Sequence, residues 1–424
     1  MNSKIKNIKK LLFFLYILAV YIWGGKKETT IYSEVILIVL LGLELIDILK
    51  TRKIKFAIPI MILLIFDIYC FISNFWAINR DLSLVMSKTL FLLCAFVWIS
   101  YNMFSKMEDG HIYILKAICW AGIIFSLYII FYYGIANYFT KLLAGQRVGA
   151  EINNVNAIGL QTCISVIICA FFGLYENKKV YYVLSIIPLI VSLGTGSRKV
   201  LLMIILGIIC LFIQNKGSKK DAINIIKKLV ILIIMIFFAW NIMRLPMFQT
   251  IFNRFNSMLN VITGKGNVDD STAVRKQFIQ AGLEQFIETP ILGIGVSNSS
   301  YVTLKATNDK TYLHNNFVEL LACTGIIGFL LYYSLFIYLL YELFRYVKTN
   351  NNFAIISFII LAVNIILDYG VVSYYGKNTY IYILLAMVTI KKLKEDQLNK
   401  IEPLKLSFNV LIQRLNNERR KLKD

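Results

Sequence analysis

RFNSMLNVITGKGNVDDSTAVRKQFIQAGLEQFIETPILGIGVSNSSYVTLKATNDKTYLHNN, residues 254–316, is polar, glycine-bearing and dotted with arginine, and it stands between two long apolar tracts. Helices that only have to be held together are joined by short turns, and a connection this long needs another reason to exist. Loops carried by a rigid scaffold are where binding and catalytic groups concentrate. The interruption, taken as 247–315, therefore reads as a working loop at a bilayer face. It carries His314, one of the two histidines in the chain, at the point where the sequence turns apolar again.

Outside the loop the chain is a succession of apolar runs. Of its 424 residues 58% are hydrophobic and 16% charged, more apolar side chain than a soluble domain could hide. A run of about 17–25 such residues crosses a hydrocarbon core of about 30 Å as a helix, and a helix satisfies its own backbone there. About twelve runs are readable: 9–24, 31–49, 56–73, 82–101, 112–134, 155–175, 180–195, 199–214, 228–246, 316–344, 353–370 and 378–391. The expected fold class is an all-α polytopic membrane protein with one large extracytoplasmic loop containing short helices. Its expected parts are an N-terminal transmembrane bundle over 1–246, the loop 247–315, C-terminal transmembrane helices over 316–391 and a basic cytoplasmic tail over 392–424.

The formal charge of +21 would suit nucleic acid, but its placement argues for topology. The clusters Lys4/Lys6/Lys9/Lys10, Lys50/Arg52/Lys53/Lys55, Lys216/Lys219/Lys220/Lys227/Lys228 and Lys391/Lys392/Lys394 all fall on one side of the twelve-span arrangement. That is the positive-inside pattern, with both termini in the cytoplasm. The large loop, Arg147, Arg198 and His314 are then extracytoplasmic, and no nucleic-acid partner is expected. The seven cysteines all lie in apolar runs, so no disulfide framework is indicated, and no zinc-ligand spacing occurs. The basic leader and apolar stretch at 1–23 lack a small-residue cleavage site and read as a retained first helix. The tail LKLSFNVLIQRLNNERRKLK suits either an amphipathic helix on anionic lipid or a simple topology anchor.

Inside the loop, Ser271-Thr272-Ala273-Val274 is expected to open a helix, with Ser271 or Thr272 as N-cap and Val274, Phe278, Leu283 and Phe286 on one apolar stripe. Pro290 ends it, and Gly293 and Gly295 supply a tight turn facing the following segment. Four features could carry chemistry: Gly145-Gln-Arg147-Val-Gly149 with Asn153-Asn154-Val-Asn156; Gly194-Thr-Gly196-Ser197-Arg198-Lys199; Arg275; and His314-Asn315-Asn316-Phe317-Val-Glu319 with Gly325 and Gly328. Each has a plainer reading. An arginine at the edge of a span can snorkel to headgroup phosphates. Gly-Thr-Gly-Ser can be only a turn, a histidine at a helix start only a cap, and Gly325 and Gly328 a kink or a packing site.

Together they point to one substrate chemistry. Three guanidinium groups, Arg147, Arg198 and Arg275, converge only on an anion, and the arginine fork fits phosphate oxygens bidentately. At the outer membrane surface a multivalent anion attached to lipid is a polyprenyl pyrophosphate. No Asp-x-Asp pair lies near these arginines, so no metal is required and no cofactor is expected. The arginines would themselves stabilise charge developing on the leaving group. His314, ordinarily titrating near ~6.5, would accept the proton of an attacking sugar hydroxyl.

The order Arg147…Gly149…Asn156, Gly196-Ser197-Arg198-Lys199, Arg275…Pro290-Ile-Leu-Gly293-Ile-Gly295, His314-Asn315-Asn316-Phe317-Val-Glu319-Leu-Leu and Gly325-Ile-Ile-Gly328 resembles the O-antigen polymerase/ligase superfamily over roughly 140–335. The part from Pro290 to Gly328 is the more specific; Gly-Ser-Arg-Lys alone is weak. The resemblance implies a metal-independent inverting glycosyltransferase with a GT-C-like helical membrane fold. Its donor would be an undecaprenyl-pyrophosphate-linked oligosaccharide. Carried over by position, Arg198 and Arg275 would hold the pyrophosphate, Arg147 would assist and His314 would activate the acceptor hydroxyl. Asn156, Ser197, Gly293, Gly295, Asn315 and Glu319 would support them. Many relatives place a tryptophan shortly after the loop arginine; here Phe278 would take that packing role.

The motifs leave open a polymerase of repeat units and a ligase onto a terminal acceptor such as lipid A core. The Lys-, Ile- and Asn-rich composition is common in AT-rich genomes, many of them Gram-positive, which lack that core. That favours a polymerase making capsular or exopolysaccharide, or O-antigen, in a bacterial cytoplasmic membrane, with a chain-length regulator and a flippase as partners. A transporter of lipid-linked sugar is the reading from another class. It would need acids along a midplane path, and Glu44, Asp47 and Asp67 form no evident series.

Overall fold

The computed structural model describes residues 3–24, 28–52, 54–214 and 270–421, with side chains described up to residue 399. The described residues are helical, without strands. The helices are α1 (Ser3–Trp23), α2 (Thr30–Thr51), α3 (Ile58–Ile72), α4 (Arg80–Phe104), α5 (Gly110–Tyr133), α6 (Ile135–Leu143), α7 (Val155–Leu174), α8 (Val180–Leu184), α9 (Ile186–Gly194) and α10 (Arg198–Gln214). From residue 270 onward come α11 (Asp270–Glu288), α12 (Ser299–Thr307), α13 (Asn316–Val347), α14 (Asn352–Leu367) and α15 (Lys377–Lys421). These cover eleven of the twelve apolar runs; the run 228–246 and the loop's first part, to 269, lie outside the described residues. Among the described residues, five helical stretches are long and apolar enough to cross a membrane: Ile58–Phe75, Arg80–Phe104, Gly110–Tyr133, Val155–Leu174 and Asn316–Val347. The chain is an integral membrane protein.

Asparagine starts four of these helices. The side chains of Asn79, Asn154, Asn315 and Asn351 accept backbone N–H groups of the first turns of α4, α7, α13 and α14. A short polar acceptor at that position satisfies donors that have no partner inside the helix. The run 180–195 is divided into α8 and α9 because Pro188 offers no N–H to the carbonyl of Leu184.

Ion pairs and polar contacts sort the helix ends into two sets. At one end Lys9 meets Glu44 at 2.7 Å, Lys10 meets Asp109 at 2.8 Å, Lys106 meets Glu44 at 3.1 Å and Lys394 meets Glu342 at 2.8 Å. The opposite ends of α2, α4, α13 and α15 carry the contacts of Lys377 with Ser33, Asn79 with Asn298 and Asn316 with Asp368. Lys199, bound to Gly370 just past Asp368, brings the Arg198–Thr272 contact to the same end. All four features singled out in the sequence belong to this second end.

The main apolar core joins α1–α10 and α13–α15. A second, small core is built by the loop itself: Phe278, Ile294, Val302 and Leu313 close on Val318 and Ala322 of α13. Phe278 and Leu313 are almost wholly buried there, and such burial is worth about 1.5–3 kcal/mol per side chain. The described part of the loop is thus a packed cap seated on α13.

Two expectations are corrected. Helix α11 already runs through Ser271 and Thr272, so neither is its N-cap; the Thr272 hydroxyl instead accepts a hydrogen bond from Arg198. Leu283 is exposed rather than on the buried stripe. At about 100° per residue it stands opposite Val274, and the buried line runs through Val274, Phe278 and Gly282. A Cβ on Gly282 would come 2.5 Å from Val318 Cγ1, so glycine lets the helix settle on α13. Helix α15 continues unbroken from the last apolar run to Lys421.

Candidate functional site

The site is built on an interlock of the two glycine motifs. Helix α13 is kinked at Gly325, whose φ of 62° and ψ of −169° lie outside the range of L side chains. The kink frees backbone groups, and the Pro290–Gly295 turn takes them up. Ile326 N–H donates to the Pro290 carbonyl (2.8 Å), and Ile294 N–H donates to the Ala322 carbonyl (3.1 Å). Gly293, with φ of 67°, lies so close that a Cβ would sit 2.5 Å from the Cys323 carbonyl. Gly295 packs against Ala77, and Tyr69 donates to the Thr324 carbonyl at 2.7 Å. The expected turn and the expected kink are therefore one joint, and the residues after it leave from a fixed point.

Glu319 and Asn315 hold the next segment. The buried Glu319 carboxylate accepts from Ser299 Oγ at 2.6 Å and from the Leu313 N–H at 2.9 Å, tying α12 and the approach to His314 onto α13. Asn315 caps α13 through the Val318 N–H at 3.1 Å. Between these two anchors His314 adopts a left-handed φ of 58°. Such a conformation costs roughly 1–2 kcal/mol in a non-glycine residue and persists where both flanks are fixed. Its imidazole packs against the Tyr312 ring, with centroids 4.1 Å apart, and lies nearly parallel to Phe278 at 6.0 Å. Phe278 thus does have the packing role expected of it. The imidazole bonds to no polar group among the described residues. Burial lowers the His314 pKa to about 4, with Arg275 and Lys199 adding like-charge repulsion. The ring is neutral at physiological pH.

The arginines approach from two directions. Arg198, first residue of α10, donates to Thr272 Oγ1 at 3.0 Å. Thr272 and Arg275 are three residues apart on α11 and share a face. Arg275 acts electrostatically on both His314 and Lys199, and Arg198 acts on Lys199. The Lys199 ammonium donates to the Gly370 carbonyl. Neither Arg275 nor Lys199 has a carboxylate partner among the described residues. Arg198, Lys199, Arg275 and His314 are thereby gathered together. Arg147 stands to one side, its Nε bound to the Thr195 carbonyl at 2.8 Å and its stem against Gly196. Ser197 donates to Asn156 Oδ1 at 2.8 Å and so joins the turn before α10 to the start of α7.

One buried cluster was not singled out in the sequence. Asn316 donates its backbone N–H to the Asp368 carbonyl (2.7 Å), and its side-chain oxygen accepts from the Ser373 and Tyr374 N–H groups. Tyr333 and Ser373 donate to the Asp368 carboxylate, Tyr333 at 2.8 Å and Ser373 at 2.5 Å. The connection from α14 to α15 is thereby strapped to the residue that follows the His314–Asn315 turn, and it also presents Gly370 to Lys199. A lone acid at the edge of the run 353–370 was the available signal. No group of three or more metal-ligating side chains occurs among the described residues.

Residues 183–333 match the family model described as O-Antigen ligase. Over this segment the chain is similar to the O-antigen polymerase/ligase superfamily. No curated protein matches the chain. The matched superfamily segment contains α9, the Arg198–Lys199 pair, α11, the Pro290–Gly295 turn, His314 and the Gly325 kink. Its function class is membrane glycan processing of the O-antigen ligase/polymerase type, on lipid-linked glycans in membrane lipid. All seven cysteines are free.

Proposed function

We propose that this protein polymerises undecaprenyl-pyrophosphate-linked oligosaccharide repeat units by metal-independent, inverting glycosyl transfer at the outer face of a bacterial cytoplasmic membrane. The observation that carries this reading is the grouping of Arg198, Lys199 and Arg275 with a neutral imidazole at one end of the bundle. Arg275 and Lys199 meet no carboxylate among the described residues, an anion would offset their charge, and guanidinium forks suit a diphosphate. His314 removes the proton of the acceptor hydroxyl as its oxygen attacks the donor's anomeric carbon; the diphosphate leaves with the electron pair. Arg147 assists from the flank, and Asn315 and Glu319 keep the imidazole in place.

In this reading about twelve helices span the bilayer in a GT-C-like arrangement with both termini inside. The product is capsular or exopolysaccharide, or O-antigen, and a flippase and a chain-length regulator work beside it. The description of the matched family favours one second reading, a ligase that transfers the finished glycan to a terminal acceptor such as lipid A core. A carrier of lipid-linked sugar is less well supported, since Glu44 is bridged by Lys9 and Lys106 at the far end of the bundle and forms no path with Asp67.

The test is reconstitution of the full-length chain in nanodiscs with undecaprenyl-pyrophosphate oligosaccharide. A ladder of lengthened glycans with release of undecaprenyl pyrophosphate is expected, abolished in Arg275→Ala and His314→Ala while both variants still insert. Transfer that occurs only when a separate glycolipid acceptor is added identifies the ligase. Movement of intact donor across the bilayer without transfer refutes both enzymatic readings.

A further inference from the structure

Lys199 follows Arg198 in the first turn of α10, and its ammonium is presented to the carbonyl of Gly370. The partner is neutral. A lysine there for structure alone would be expected to meet a carboxylate, because an uncompensated charge that is partly out of water is expensive. Lys199 instead feels the positive charges of Arg198, its neighbour in the chain, and of Arg275. Gly370 is shaped to allow it: a Cβ on that residue would sit 2.8 Å from Lys199 Cε. The strap from Asp368 to Tyr374, tied down through Asn316, thus holds an ammonium beside the arginines without cancelling its charge.

We propose that Lys199 is a ligand of the leaving diphosphate, supplying the positive charge that balances the negative charge formed when the glycosidic bond breaks. The inference rests on the diphosphate reading of the site. In the donor both phosphates are esterified, so the diphosphate carries one negative charge on each. During transfer the acceptor oxygen bonds to the anomeric carbon and its proton passes to His314. The bond from that carbon to the phosphate oxygen breaks, and the electron pair stays on the oxygen as a further negative charge. A third cation held in advance stabilises that charge more than it stabilises the bound donor, and this is the condition for raising kcat. The Gly370 carbonyl keeps the ammonium oriented until then.

The experiment measures binding and turnover on the full-length chain in neutral-lipid nanodiscs for the wild type, Lys199→Met, Lys199→Arg and Arg275→Ala. The probes are undecaprenyl pyrophosphate, its glycosylated donor form, and phosphatidylglycerol titrated into the disc. Lys199→Met is expected to weaken undecaprenyl pyrophosphate about tenfold or more and the glycosylated donor less than about threefold. Its kcat falls at nearly constant KM, and Lys199→Arg recovers most of the loss. Equal losses on the two ligands, or none, overturn the leaving-group role. A loss confined to phosphatidylglycerol makes Lys199 a headgroup anchor and also overturns it. Normal binding of undecaprenyl pyrophosphate in Lys199→Met beside impaired binding of it in Arg275→Ala removes this inference and leaves the diphosphate reading standing. Wild-type protein that binds neither undecaprenyl compound removes both.

Discussion

Replacing Gly325 by alanine tests whether the joint between α13 and the Pro290–Gly295 turn positions the site. A Cβ at residue 325 would meet the Ile291 carbonyl oxygen at 2.2 Å and its carbon at 2.4 Å, and both are backbone atoms that cannot rotate away. The conformation itself, φ 62° and ψ −169°, costs a non-glycine residue about 1–3 kcal/mol. Relieving the clash means parting the two segments and losing the hydrogen bonds from Ile326 to Pro290 and from Ile294 to Ala322, about 0.5–1.5 kcal/mol each. The sum is about 2–6 kcal/mol. Even about 2 kcal/mol spent on misplacing His314 corresponds to a roughly thirtyfold slower reaction. The assay pairs thermal unfolding in detergent with the rate of glycan transfer. Gly42→Ala is the control, because nothing lies within 4 Å of its Cβ position and alanine in a helix interior gains about 1 kcal/mol. Gly325→Ala should lose at least tenfold in rate, with or without a lower Tm, whereas Gly42→Ala should match the wild type. A Gly325→Ala protein with wild-type Tm and rate would refute the argument.

Arg275→Lys should lose about a hundredfold in transfer despite keeping its charge, since an ammonium does not reproduce a bidentate contact; wild-type turnover in the same assay would show that charge alone suffices. The pH dependence follows from His314, which must be unprotonated to act. With its pKa lowered to about 4, kcat/KM should hold steady from pH 7 to about 5 and fall as pH drops through about 4. Bound diphosphate offsets the Arg275 and Lys199 charges, so the limb in kcat should lie at higher pH than that in kcat/KM. The unfolded chain protonates at ordinary histidine values, so this residue makes stability fall as pH drops from about 6.5 to 4. A kcat/KM limb near 6.5 would contradict the buried, cation-flanked ring. Glu319→Gln keeps one acceptor of the two used by Ser299 and Leu313 and should reduce transfer about tenfold with donor affinity nearly unchanged. A change in donor affinity alone would place Glu319 on the substrate. Transfer should persist in excess EDTA, measured against an untreated sample, and loss restored by a divalent ion would end the metal-independent scheme.

Much of this was legible in the chain because it depends on local chemistry. Pro290 ends α11 as expected, and Gly325 gives the kink that was one of its two plain readings. Leu283 was misplaced because a stripe of four apolar residues does not say which side the neighbouring segment occupies. The small core chose the line through Val274, Phe278 and Gly282, since only there does a residue without a side chain let the helix reach Val318. The Asp368 cluster escaped notice because its partners, Asn316, Tyr333 and Ser373, are unremarkable singly and meet only when α13 and α14 pack.

By itself the sequence determined the solvent and the alphabet of the site. Apolar runs long enough for a bilayer demand helices, and cationic forks with one imidazole favour a phosphate-bearing substrate. Only the tertiary structure decided which of those groups share a location, with Arg198 reaching α11 through Thr272 and Arg147 held apart on Thr195. The reason is range. Helix formation and side-chain chemistry are set within a few residues, whereas the meeting of residues 198, 275, 314 and 370 depends on packing between segments that the chain order leaves far apart.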